Sequence, residues 1–296
     1  MAASQAAVGL MVPSHKPFDG KLAIITGASR GIGAATCEYF ASRGANLVMN
    51  YTSQSSAERT NKLADQLESK YRVKTLVVPA DMGSEDGPAH IINEAKNHMA
   101  SSQSGKFQID IIINNAGVSV NRKIQDCDAE DFAFQYNINV RGPLLLMKAA
   151  LPYLPHDRSG RIVNVSSVSS SLGFIAQSVY GGTKAALEAM TRTWSRELSE
   201  RATVNAVNPG PVATDMYMGT TEEFAANMKP FIQHAPLMRA REGIDSEKEV
   251  EEAKKTGGRN GKDYEIAGVI GMLCLPEAAW CTGSVVCANG GMAFTV

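Results

Sequence analysis

Cysteine is scarce in this 296-residue chain and carries no metal or disulfide spacing. Cys37, Cys127, Cys274, Cys281 and Cys287 make an odd count without a C-x-x-C pair, which argues for free thiols in a reducing, cytoplasmic setting. The five histidines (His15, His90, His98, His156 and His234) form no H-E-x-x-H or related pattern, so no metal is expected. No apolar run reaches the length of about 18 residues that a membrane span needs. Charge of one sign is lacking too. Lys and Arg number 29 against 30 Asp and Glu, with no basic block, which argues against a nucleic-acid partner. The opening MAASQAAVGLMVPSHKPF has no basic n-region and does not read as a signal peptide. Residues 1–19 are read as an arm ahead of a single domain over 20–296.

What is present is rhythm. Short apolar, β-branched runs at 21–26, 46–51, 74–81, 109–117, 161–167, 202–210 and 283–291 alternate with helical stretches, including a long one over 128–155. Continuous apolar strands separated by helices indicate a parallel sheet covered on both faces. Right-handed crossovers then give a doubly wound, Rossmann-type α/β fold of seven strands. Residues 211–262 break the rhythm. They contain no strand pattern and end in the charge-dense stretch 241–263, whose alternating acids and bases suggest a solvated helical extension.

The first strand runs into TGASRGIG (26–33) and then a helix. Glycines at such a junction let the backbone approach a pyrophosphate, and the helix N-terminus offers free N–H groups and partial positive charge. The same letters match G-x-S-x-G, the nucleophile elbow of esterases, with Ser29 as nucleophile. That alternative needs a later histidine, and only His234 follows residue 156. At the distal end, NAD-binding folds place an acid about 20 residues past the glycines. Here the second strand leads into MNYTSQSS (49–56), and no acid appears before Glu58. Thr52 and Ser53 can donate to a 2′-phosphate and Arg30 can balance its charge, which favours NADP(H) over NAD.

In SVYGGTKAALEAM (178–190), Tyr180 and Lys184 sit four apart at a helix start. On one helix face the ammonium can lower the phenol pKa towards a useful general acid. Taken together, TGASRGIG, Asp81, NNAG (114–117), Asn139, Ser167, Tyr180-x-x-x-Lys184 and NPGPVATD (208–215) resemble the short-chain dehydrogenase/reductase family over residues 20–296, and its 3-oxoacyl-carrier-protein and fungal polyketide ketoreductases most of all. The resemblance implies Tyr180 as proton donor to a carbonyl oxygen, Lys184 as its electrostatic partner and ribose ligand, and Ser167 as the polarising hydroxyl. Strand alternation turns Ser166 the other way. Asn139 would hold a relay water through its backbone carbonyl. Pro143, four residues on, has no N–H to occupy that carbonyl.

For cofactor contacts the resemblance implies Gly27, Ser29, Arg30, Gly31, Ile32 and Gly33, then Thr52, Ser53, Asp81 and Met82. Asn115, Ala116, Gly117, Tyr180 and Lys184 follow, with Pro209, Gly210, Val212 and Thr214 at the nicotinamide end; Arg141 reads as more structural than ligating. The expected activity is NADP(H)-dependent reduction of a ketone to an alcohol, a small-molecule reaction. A catalytically silent NADP sensor and the esterase are the alternatives. Residues 211–262 read as a substrate lid. Met216, Tyr217, Met218, Phe224, Met228, Phe231 and Ile232 favour a bulky or cyclic ketone over a small sugar. A homotetramer or homodimer is expected, pairing helices around 128–155 and 176–200.

Overall fold

The computed structural model describes residues 16–100 and 105–294. Most of the expected N-terminal arm, residues 1–15, lies outside them. Seven parallel strands form one sheet in the order β3-β2-β1-β4-β5-β6-β7. They are β1 (Leu22–Ile25), β2 (Asn46–Tyr51), β3 (Thr75–Pro79), β4 (Ile111–Asn114), β5 (Gly160–Val165), β6 (Ala202–Pro209) and β7 (Val285–Ala288). The chain reverses its direction of travel across the sheet between β1 and β4, which opens a crevice at their carboxyl ends.

Alternation along each strand divides the core between two faces. Ala23 and Ile25 of β1 pack on one side with Phe40, Leu47, Ile113 and Ile270. Leu22 and Ile24 pack on the other with Val48, Ile112, Leu146 and Trp194. Helices α1 (Gly31–Ala41), α2 (Gln54–Tyr71) and α11 (Asp263–Cys274) cover the first face. Helices α3 (Gly87–Met99), α5 (Gly142–Ala150) and α7 (Ser178–Glu197) cover the second. Phe18, assigned to the arm from sequence, is 2% exposed and its ring centre lies 5.0 Å from that of Phe40, so the packed domain starts before residue 20.

The long helix expected over 128–155 is broken. It comprises α4 (Ala129–Tyr136), a wider π-turn over Asn137–Arg141, and α5. A helix register with no proline donor at 143 must reroute its hydrogen bonds, and a π-turn is one way of doing so. Between β5 and α7 lies the short α6 (Ser169–Leu172). The expected lid carries α8 (Asp215–Met218), α9 (Glu222–His234) and α10 (Glu247–Thr256), with α10 entered through a Ser246–Glu249 capping box.

Helices α1 and α11 cross at closest approach where Gly271 meets Tyr39. A Cβ at 271 would stand 1.9 Å from the Tyr39 ring. Gly271→Ala is expected to force the two helices apart and cost about 1–3 kcal/mol, the usual range for overpacking; chemical denaturation measures the loss.

Candidate active site

Three structures converge at the carboxyl end of the sheet: the loop after β4, the π-turn, and the first turns of α7. Asn139, 1% exposed, joins them. Its Oδ1 accepts from the Val118 N–H at 2.9 Å, and its Nδ2 donates to the Val118 carbonyl at 2.9 Å and to Thr183 Oγ1 at 3.0 Å. The side chain is thereby committed to the scaffold, which leaves the main-chain carbonyl as the group Asn139 can offer a ligand. A Cβ at residue 117 would lie 3.3 Å from Lys184 Nζ and 3.4 Å from Asn139 Oδ1, so the glycine there lets the ammonium sit against the β4 loop.

The Lys184 ammonium lies 5.7 Å from the centre of the Tyr180 ring and donates to the Val165 carbonyl at 2.9 Å. Ser167 is the neighbour that acts on the Tyr180 phenol. Burial pushes the Tyr180 phenol up to about 12, and the Ser167 contact pulls it only partly back. This corrects the sequence expectation that Lys184 would dominate the tyrosine. Burial also pushes Lys184 down to about 8, opposed by the carboxylate of Glu188. Desolvation disfavours the charged form of each group, and here it is the largest influence on both. Ser167 and Ser166 divide as alternation requires. Ser166 is buried and donates to Glu188 Oε1 at 2.6 Å, on the side away from Tyr180.

The glycine loop fits a dinucleotide. Arg30, with extended backbone and no side-chain cap, leaves the first N–H groups of α1 unsatisfied by side chains. Gly31 takes φ +53°, and a Cβ at Gly33 would strike the Gly27 carbonyl at 2.1 Å. Asn115 braces this loop by donating to the carbonyls of Thr26 (2.8 Å) and Gly27 (3.1 Å), and the Ala116 N–H donates to Thr26 Oγ1. Their side of the site is therefore scaffold, and Gly117 is the member of that trio beside Lys184. Met82 is 1% exposed within the core, so its side chain faces no ligand. Arg141 donates to the Gly83 carbonyl, in keeping with its structural reading. Asp81 is exposed, with Oδ1 accepting from the Gly83 N–H.

At the distal end Thr52 donates to the Ala80 carbonyl, and Ser53 shares hydroxyl contacts with Ser55 and Ser56. Arg30 Nη1 stands 3.0 Å from Asp215 and Arg59 Nη1 stands 3.6 Å from the same oxygen. Two guanidinium groups thus converge where one anionic group already sits, and Arg59 escaped the sequence reading because a lone arginine inside α2 carries no motif. Pro209 ends β6, and a bridge between Val212 and Gly261 closes the lid at its base. The Thr214 methyl lies 2.9 Å from a Cβ built on Gly31, which sets the 210–214 turn over the glycine loop. His234 Nδ1 bonds the Pro230 carbonyl, and no hydrogen bond joins it to Ser29 among the described residues, so the esterase alternative lacks its base.

Glu188 was also missed. It lies one turn beyond Lys184, 9% exposed, and its Oε1 accepts from Ser166 and Ser170. The i,i+4 spacing from Lys184 was the available signal.

Residues 21–224 match the short chain dehydrogenase family. An L-xylulose reductase of Aspergillus niger is 52% identical over 95% of this chain and 99% of that protein. An L-xylo-3-hexulose reductase of Hypocrea jecorina is 48% identical over 95% and 99% respectively. Among solved structures, a blue fluorescent protein from a metagenomic library, in complex with NADPH, superposes with a TM-score of 0.78 at 28% identity, over 94% of this chain and all of that one.

The Lys184 ammonium is expected to lose its proton near pH 8. Glu188→Gln removes the charge that supports it and is expected to move that midpoint lower. NMR titration of the lysine side chain measures both.

Proposed function

We propose that this chain, which belongs to the short-chain dehydrogenase/reductase family, reduces an open-chain polyhydroxy ketone with NADPH. Membership is established, and with it the class of activity: an oxidoreductase that reduces a ketone using a nicotinamide cofactor. The substrate class rests on one observation above others. Two relatives near half-identical over almost their whole length are named for ketose reduction.

This departs from the bulky or cyclic ketone favoured by the apolar lid, for a physical reason. Phe224, Met228 and Ile232 are buried in a cluster with Val168, Phe174, Met238 and Ala293. The Phe231 ring packs edge-on against Phe174 at 5.0 Å. These side chains seat the lid on the body and do not line a pocket. Met216 and Met218 are exposed.

The cofactor supplies the hydride when bound. Tyr180, protonated across the physiological range at its raised pKa, would give its proton to the carbonyl oxygen as that oxygen gains charge. Ser167 would donate to the same oxygen. Lys184 would hold its ammonium beside Tyr180, and the Asn139 carbonyl would hold the water that resupplies the proton. Gly27, Ser29, Gly31, Ile32 and Gly33 would cradle the pyrophosphate, and Asp81 would accept from the adenine. Pro209, Gly210, Val212 and Thr214 would receive the nicotinamide. Arg30, with Thr52, Ser53 and Arg59, would take the 2′-phosphate. The absence of an acid before Glu58 and the NADPH bound in a solved neighbour support that preference. The complete four-residue set weighs against a silent sensor.

A homo-oligomer is also part of this reading, and the exposed apolar residues that support it lie on the 128–155 half of the expected surface. Met147, Leu187 and Trp194 are buried in the core, whereas Phe132, Phe134, Leu144 and Leu151 are exposed along α4, α5 and the turn after it. The lack of disulfides among the described residues supports a cytoplasmic setting.

Tyr180→Phe is expected to lower turnover on L-xylulose at least about 10²-fold while NADPH binding persists. Steady-state kinetics with fluorescence titration of NADPH tests this, and unchanged turnover would remove Tyr180 as donor. Arg30→Ala should weaken NADPH by about 1.5–3 kcal/mol and leave NADH little changed. Since Lys184 must stay charged, kcat/KM for reduction should fall as pH rises past about 8. Light scattering that returns a monomer mass would remove the oligomer.

A further inference from the structure

We propose that Asn121 and Gln177 form a hydroxyl-reading subsite that recognises the carbon next to the substrate carbonyl; this rests on the ketose reading above. A continuous polar line runs away from the reacting hydroxyls. It starts at Ser167, the neighbour of the Tyr180 phenol. Ser167 Oγ lies 3.1 Å from Ser169 Oγ, and Ser169 donates to Gln177 Oε1. Gln177 Nε2 donates to Asn121 Oδ1 at 3.1 Å, and Ser119 donates to the same oxygen at 3.0 Å. Ser119, Asn121 and Ser167 are half-buried and Gln177 is 8% exposed behind them.

Two features argue that this line is built for a ligand. Asn121 Oδ1 is saturated by two donors, and its amide nitrogen donates to no group among the described residues. The line is also held at a cost. Ala176 takes φ +68°, a conformation that disfavours a residue with a Cβ. It is fixed there by the Arg122 N–H donating to the Ala176 carbonyl at 2.8 Å, in a bridge that pairs Arg122 with Gln177. The strained bridge clamps the Asn121 loop to the entrance of α7. Gln177 then stands three residues before Tyr180, one helical turn from the reacting phenol. An apolar pair at 121 and 177 would close the same space without burying amides that must be satisfied. Donors set beside the site where the carbonyl is reduced suit a hydroxyl on the neighbouring carbon.

The test compares L-xylulose with 2-pentanone, which has the same five-carbon chain and no hydroxyls, in the full-length enzyme with NADPH. Asn121→Leu and Gln177→Met are the variants. Each is expected to lose at least about 10-fold in kcat/KM on L-xylulose, the worth of an uncharged hydrogen bond or two, with the loss on 2-pentanone several-fold smaller. Titration of NADPH and thermal melting confirm a folded enzyme. If Gln177→Met does not fold, the half-buried Asn121→Leu decides alone. Equal losses on both ketones, or none on L-xylulose, overturn the subsite while leaving the ketose reading intact. Wild-type enzyme that reduces 2-pentanone and ignores L-xylulose overturns the ketose reading itself, and the subsite with it.

Discussion

The Asn139 side chain is the constraint on which the site depends. Its amide pairs with both main-chain groups of Val118 and with Thr183, so one buried residue sets the spacing of the β4 loop, the π-turn and α7. Thr183 is adjacent to Lys184, and its hydroxyl donates in turn to the Tyr180 carbonyl at 2.7 Å. Tyr180 and Lys184 are therefore oriented by a chain of buried hydrogen bonds. Removing one member would leave buried donors and acceptors unpaired, at about 1–3 kcal/mol each, and would loosen all three elements together.

Burial, not charge pairing, sets the resting state of Tyr180 and Lys184. Lys184 is 4% exposed, and holding its ammonium there costs the folded state about 3 kcal/mol relative to water. The unfolded chain keeps that lysine charged up to its ordinary value of 10.5. The penalty is therefore fully present below pH 8, and stability is regained as pH rises from about 8 to 10.5. Such a site carries a stability cost at neutral pH in order to keep a cation within reach of a phenol. The Glu188 carboxylate, held by Ser166 and Ser170, reduces that cost.

Much of this was legible in the sequence because it rests on periodicity and spacing. The seven apolar runs fall on the seven strands, and β2 falls on residues 46–51 as read. Strand alternation separated Ser167 from Ser166, since adjacent residues must point to opposite sides. What stayed hidden depends on which neighbour a side chain meets. The Pro143 effect was visible, but its form as a π-turn follows from rerouted backbone bonds. Met82, Asn115 and Ala116 sit in motif positions yet serve the core or brace the loop. Gln177 and Asn121 lie 56 residues apart in sequence, and no periodicity links them.

The lid shows why composition misleads about substrate. An apolar helix beside a crevice reads as pocket lining, but a helix must first bury one face against the body. Phe224, Met228 and Ile232 do that, and each such burial contributes about 1.5–3 kcal/mol. The ion pairs at the lid's base, Arg30 and Arg59 with Asp215, are exposed and contribute at most about 1 kcal/mol apiece. Apolar packing, not these charges, therefore holds α9 in place. The charged stretch beyond it is tied down by Arg259 to Glu265 and Lys262 to Glu249. With α9 seated and both lid ends joined by the Val212–Gly261 bridge, α8 is held by Tyr217, which packs against the same apolar cluster. Its methionines are exposed, and the side chain of Asp215, its first residue, is bound by the weak pairs to the two arginines. The lid is thus a packed platform, set above the glycine loop and next to Arg30 and Arg59.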